Sequence, residues 1–174
     1  MANDSKLMDM LTGYAAAHQH PMNVFVHLIG IPTIMFGVLI PLTWVTIGSA
    51  ESDVNLAHLL VVAFTLFYMT LDRIFAIVFL IFGLLLAEAA RWVGAMDTAI
   101  AWWIAAGAFF GGYAAQFIGH AIEKSMPVLV KHPIEAQLAA PFFTVVEIFK
   151  LLGLREDLFD QVQTEIARQR AEQA

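Results

Sequence analysis

Three histidines and a carboxylate, set at the edges of long uncharged stretches, are the residues of this sequence best suited to chemistry. His18 and His27 flank the start of one such stretch, and His120 ends another, three residues before Glu123. Imidazole ligates iron, zinc and copper, and two histidines with one carboxylate form the donor set of non-haem Fe(II) oxygenases, with positions left open for O2 and substrate. An ionisable side chain at a membrane edge is costly unless it has a partner or a task. His18, His27, His120 and Glu123 are therefore the candidate metal ligands. Asn23 precedes His27 by four residues and Gln116 precedes His120 by four, so each pair shares a helix face. Both amides are candidates to orient the ligands by accepting a free ring N–H.

For these residues to meet, the two stretches must end on the same side of a membrane. The composition supports a membrane setting: 60% of the 174 residues are hydrophobic and 14% charged, with a mean hydropathy of +0.73, whereas soluble domains are nearer half apolar and a quarter charged. Runs over 24–47, 56–71, 74–93 and 98–122 read as four spans, and four crossings return His120 to the side of His27. Span two is short, and Asp72-Arg73 is placed at the surface as a tight turn. The expected fold is all-α: an integral membrane bundle of four transmembrane helices, with an N-terminal amphipathic helix and C-terminal interfacial or amphipathic helices. One domain is expected over 1–174, with its core over 6–152 and a polar helical tail over 153–174.

Ser5 is placed as the cap of a helix over 6–18, with Leu7, Leu11, Tyr14 and His18 on one face. His18 and His27 are nine apart, half a turn out of phase on one straight helix, so the break at His20-Pro21 is what lets both face one centre. Pro32 and Pro41 are expected to kink or shorten span one. A segment from Pro141 to Leu152, carrying Glu147 and Lys150, is expected at the interface. Gly107, Gly111 and Gly112 read as close helix packing, and Trp44, Trp102 and Trp103 as bilayer-edge anchors.

Lys6, Arg73, Lys124, Lys131, Lys150 and Arg155 put both termini and the histidine cluster on the cytoplasmic side, with Arg91 opposite. His132 falls on the cluster's side as a structural residue, and His58 opens span two on the far side, outside the cluster. A net charge of −6 argues against nucleic acid and against a polybasic lipid-surface role. The absence of cysteine excludes thiolate metal sites and cysteine catalysis. The N-terminus lacks the layout of a cleaved signal peptide.

Two blocks carry a resemblance. The first comprises Tyr14, His18, His20, Pro21, Asn23, His27, Gly30 and Pro32. The second comprises Gln116-Phe117-Ile118-Gly119-His120, Glu123-Lys124 and Pro127, with Pro141 and Glu147 beyond it. In these the chain resembles the Mpo1-like membrane proteins over residues 10–150. The resemblance implies an Fe(II)-dependent dioxygenase that shortens a long-chain 2-hydroxy fatty acid by one carbon, with O2 as co-substrate and His18, His27 and His120 as iron ligands. It implies the endoplasmic reticulum in a eukaryote, or the inner membrane in a bacterium, with membrane lipid around the chain. Two other classes stay open on the residues alone: a non-enzymatic membrane protein binding metal or haem, and a small transporter or scaffold.

Overall fold

The computed structural model describes residues 2–16, 18–48, 54–131 and 133–172; His132 and the acidic loop residues Glu51 and Asp53 lie outside them. Among the described residues eight helices follow in order: α1 (Ala2–Ala16), α2 (Pro21–Leu42), α3 (Leu56–Met69), α4 (Arg73–Gly94), α5 (Thr98–Glu123), α6 (Val128–Lys131), α7 (Pro133–Leu151) and α8 (Glu156–Glu172). Among the described residues, extended pairing is confined to one bridge, Thr46 with Asn55.

α2, α4 and α5 are each long and apolar enough to cross a membrane, and α3 is a shorter apolar helix. The contacts at its two ends show where α3 runs. The Thr46–Asn55 bridge puts its start beside the end of α2. Trp44 Nε1 donates to the Gly94 carbonyl at 2.9 Å, so α4 finishes at that end too. α3 therefore traverses the bundle to meet the start of α4 at Asp72. It faces outward with Leu59, Val62, Leu66 and Met69, and α4 with Ile74, Ile77, Ile81 and Leu85, all exposed at helical spacing. Apolar stripes turned outward suit lipid as the solvent.

The turn between α3 and α4 carries no glycine or proline because Asp72 does the work. Its carboxylate caps α4 by accepting from the N–H groups of Ile74 and Phe75. Arg155 then pairs with Asp72 at 2.7 Å and lies over the Phe75 ring, which ties the end of α7 to this end of the bundle.

Several expected boundaries move. α1 starts at Ala2, so Ser5 is inside the helix and does not cap it. α2 runs through Pro32 and ends one residue after Pro41, since neighbouring helices in a bundle tolerate a missing N–H. Span one thus stops at Leu42 rather than at Ile47. α7 begins at Pro133 and passes through Pro141; every residue from Pro141 to Glu147 is buried. It is wedged among α1, α2 and α4, more deeply than a one-faced interfacial helix requires. Gly153, at φ +65°, turns the chain sharply into α8, which docks Val162 and Ile166 into the core shared with Leu7 and Leu11 of α1.

The closest packing joins α2 to α5. A Cβ on Gly37 would lie 2.7 Å from the Ala105 carbonyl and the Phe109 nitrogen, and one on Gly112 would lie 2.6 Å from Ile34 and 3.0 Å from the Gly30 carbonyl. Small residues let two helix backbones approach where lipid supplies no hydrophobic drive between helices. Of the glycines read as packing positions, Gly112 is one, while Gly107 and Gly111 face open space. Gly37→Ala is expected to cost about 1–3 kcal/mol through overpacking, and Gly107→Ala is expected to leave stability unchanged or slightly raised. Melting temperatures in detergent check the pair; equal values for the two variants would contradict the backbone contact.

Candidate metal centre

Each histidine reaches the centre from a different piece of chain. His18 lies in the link between α1 and α2. Its ring stacks on Tyr14, with centroids 4.2 Å apart and planes 6° apart, and Phe143 of α7 packs against both. His27 lies in the second turn of α2, which starts at Pro21 with His20 as its cap. His120 lies in the last turn of α5. There Lys124 adopts a left-handed conformation at φ 56°, which folds Ser125 back so that its N–H meets the His120 carbonyl at 3.1 Å.

The rings converge. Centroids are 4.4 Å apart for His18 and His27, and 4.9 Å for His120 with either. One ligand nitrogen from each lies within 4.8 Å of the other two, and this trio could hold a metal ion. Tetrahedral nitrogens on one ion, at bonds of about 2.0–2.1 Å, sit about 3.4 Å apart, so small ring rotations bring these into coordination.

The hydrogen bonds decide which nitrogen is available. His18 Nδ1 is 2.7 Å from the Tyr14 carbonyl, His27 Nδ1 is 2.9 Å from the Asn23 carbonyl, and His120 Nδ1 is 2.9 Å from Ser125 Oγ. A carbonyl can only accept, so Nδ1 carries the proton in His18 and His27, and Nε2 keeps its lone pair. His18 Nε2 is buried with no hydrogen-bond partner. An orphaned acceptor is uncommon in an interior, and a cation would satisfy it. The three rings are only 4%, 1% and 4% exposed, so water does little to solvate them. Uncharged imidazoles with outward Nδ1–H bonds are the donor set a divalent transition metal takes.

The other candidates are placed differently. Glu123 is outside the trio. One of its oxygens accepts the Gln19 N–H at 2.7 Å and the other accepts the Asn23 side-chain amide. The carboxylate thus clamps the α1–α2 link onto the end of α5. Asn23 orients His27 through its backbone carbonyl rather than its side chain. Gln116 is not among the ring N–H acceptors described; it lines the cavity beside the site. His58 lies at the opposite end of the bundle. It forms a capping box with Asn55 and bonds to Glu88 at 2.9 Å. Tyr14, Phe143 and Ser125 are supports that the sequence reading did not assign. Ser125 leaves no pattern to read, because its position depends on a non-glycine residue taking the left-handed turn.

A partly open cavity extends from the histidines between α2, α5, α6 and α7, lined also by Ile31, Tyr113, Phe117 and Val128. Its walls are mainly apolar, with a few polar groups among them, as in sites that bind organic ligands.

Burial, reinforced by His27, pushes the His18 pKa down to about 3, against about 6.5 in an unfolded chain. Between these values the unfolded chain binds more protons, so stability from this group is full above about pH 6.5 and is lost as the pH falls toward 3. Metal-free protein in detergent is expected to lose up to about 1.4 kcal/mol per pH unit from this group within that window. His18→Asn should flatten the slope of melting temperature against pH. An unaltered slope would remove His18 as a buried neutral imidazole.

Fold and site together define a helical membrane protein with a buried three-imidazole centre able to hold a metal ion. A family model described as "2-hydroxy-palmitic acid dioxygenase Mpo1-like" matches residues 5–152. The chain belongs to this Mpo1-like family. It is 31% identical over 152 residues to the 2-hydroxy-palmitic acid dioxygenase MPO1 of Saccharomyces cerevisiae, a match that covers 84% of this chain and 82% of the relative. No solved structure matches the chain.

Proposed function

We propose that the protein is an Fe(II)-dependent dioxygenase that oxidatively decarboxylates long-chain 2-hydroxy fatty acids. The observation that carries this reading is the convergence of three imidazoles at a largely apolar cavity, in a chain whose family model is described as 2-hydroxy-palmitic acid dioxygenase Mpo1-like. One 2-hydroxy acid and one O2 would yield the acid one carbon shorter, CO2 and water. The substrate supplies all four electrons, so no separate reductant enters the balance. His18, His27 and His120 would hold the iron, which when bound supplies O2 activation and a grip on the carboxylate and adjacent hydroxyl.

The protein's own part is positioning. The Tyr14 and Asn23 carbonyls fix two of the three rings in the tautomer that offers Nε2, and Ser125 holds the third. Glu123 keeps the His18 link registered on α5. Apolar walls hold the acyl chain, while the carboxylate end meets the polar groups at the three histidines. A closed structural site would have no use for such an opening, which favours catalysis over a purely structural metal.

Purified protein loaded with Fe(II) under anaerobic conditions is expected to bind about one ion per chain. On exposure to O2 and a long-chain 2-hydroxy acid, it should consume O2 and release the shortened acid. His27→Ala and His120→Ala are expected to lower metal content and turnover together by at least tenfold, in line with the loss of a ligand when loss of an outer partner already costs 10–100-fold. His58→Ala should leave both intact. Metal analysis and product mass spectrometry check this. Stoichiometric zinc with no O2 uptake would leave a metal protein and end the dioxygenase reading.

The histidine end is assigned to the cytoplasm. Arg73, Lys124, Lys150 and Arg155 gather there, whereas Arg91 is at the other end. Fusion of a phosphatase active only outside the cytoplasm after Ala174 should give no signal, and a fluorescent protein that folds only inside should be bright. The reverse pattern would invert the orientation.

A further inference from the structure

A second cavity adjoins the one at the histidines. It lies farther along α2 from His27, between α2, α3, α4 and α7. Ile34, Met35, Gln137 and Pro141 line both cavities, so the two share a wall. The remaining lining of the second is apolar: Val38, Leu39, Leu60, Val61, Phe64 and Phe79. Gln137, the one polar side chain of that lining, sits at the junction and donates to the Tyr113 hydroxyl at 2.6 Å. Polarity therefore falls steadily from the three imidazoles, past the Gln137–Tyr113 pair, to a wholly apolar far end. Along α2 the distance from His27 to Val38 is roughly 16 Å at the helical rise.

We infer that this second cavity is the tail compartment of the site, taking the distal acyl chain of a substrate whose carboxylate end lies at His18, His27 and His120. The inference rests on the proposed function for the identity of the substrate. A single occupant, charged at one end and apolar at the other, matches the gradient between the two cavities. A short acid would be held entirely on the histidine side of Ile34 and Met35 and would gain nothing from Val38 or Leu60. A long one would bury each further methylene against them. Chain-length preference is then set by the residues of the second cavity alone, with Val38, Leu60 and Phe64 as its determinants. All three are half-buried, so a larger side chain can enter the cavity without displacing the tightly packed core.

The test uses the full chain in detergent and two variants, Val38→Phe to fill the compartment and Leu60→Ala to enlarge it. Binding of 2-hydroxy acids of graded chain length is measured by calorimetry on metal-free protein, and as the ratio of variant to wild type so that partitioning into detergent cancels. Wild type should gain about fourfold in affinity per methylene once the chain reaches the second cavity. Val38→Phe should weaken long acids by about tenfold, the worth of fewer than two methylenes, and leave short ones unchanged. Leu60→Ala should move the optimum toward longer chains, and it keeps the test decisive if Val38→Phe fails to fold. Equal effects on all chain lengths, or none, would overturn the compartment. So would a co-purified phospholipid that the long acid does not displace in native mass spectrometry. Turnover by iron-loaded wild type is scored separately. Length-graded binding without turnover would remove the reaction and keep the compartment, and turnover with unaltered length preference in both variants would do the reverse.

Discussion

The contact of the α2 and α5 backbones is the constraint on which the rest depends. His27 and His120 belong to spans separated by two other helices in sequence, and each is a short, stiff ring on a helix that cannot bend to meet its counterpart. They come together only because Gly30 and Gly37 on one helix and Gly112 and Gly119 on the other remove the side chains that would hold the axes apart. At the upper end of this seam a Cβ on Gly119 would collide with Asn23, the residue whose carbonyl orients His27 and whose amide is held by Glu123. Helix packing and ligand orientation are therefore the same set of contacts. Small residues are used along the seam because dispersion at short range is the attraction available to helices already surrounded by hydrocarbon.

His18 is held by different physics. It has no helix of its own, and its place is set by a stack on Tyr14, an edge from Phe143 and a bond back to the Tyr14 carbonyl. The position combines two mobile-chain features, a helix end and a proline start, with a rigid aromatic pocket. Burial keeps the ring uncharged there, the state in which imidazole can donate a lone pair.

Much of this was legible beforehand. Uncharged runs of span length, and the phase relation of His18 to His27 across Pro21, were enough to bring the trio to one end, because both follow from helical periodicity and the parity of the crossings. The boundaries were less so. Ser5 looks like a cap, but α1 already begins at Ala2; Pro32 and Pro141 look like breaks, but packed neighbours carry the helix through. Gly107, Gly111 and Gly112 share a stretch of α5, and nothing local tells which of them meets α2. The contacts of the carboxylate were not legible either: spacing puts Glu123 on the His120 face, but its bond to the Gln19 N–H uses a donor every residue has and no motif advertises.

The docking of α8 onto α1 bears on how the protein is made. Leu7 and Leu11 bury against Val162 and Ile166, so α1 takes part of its support from a helix synthesised well after it. Until α8 is synthesised, Leu7 and Leu11 lack that cover, while Tyr14 and His18 can already rest on α2 and α7. The α1–α8 contact is thus closed late, after the helices that carry His27 and His120 are already in place.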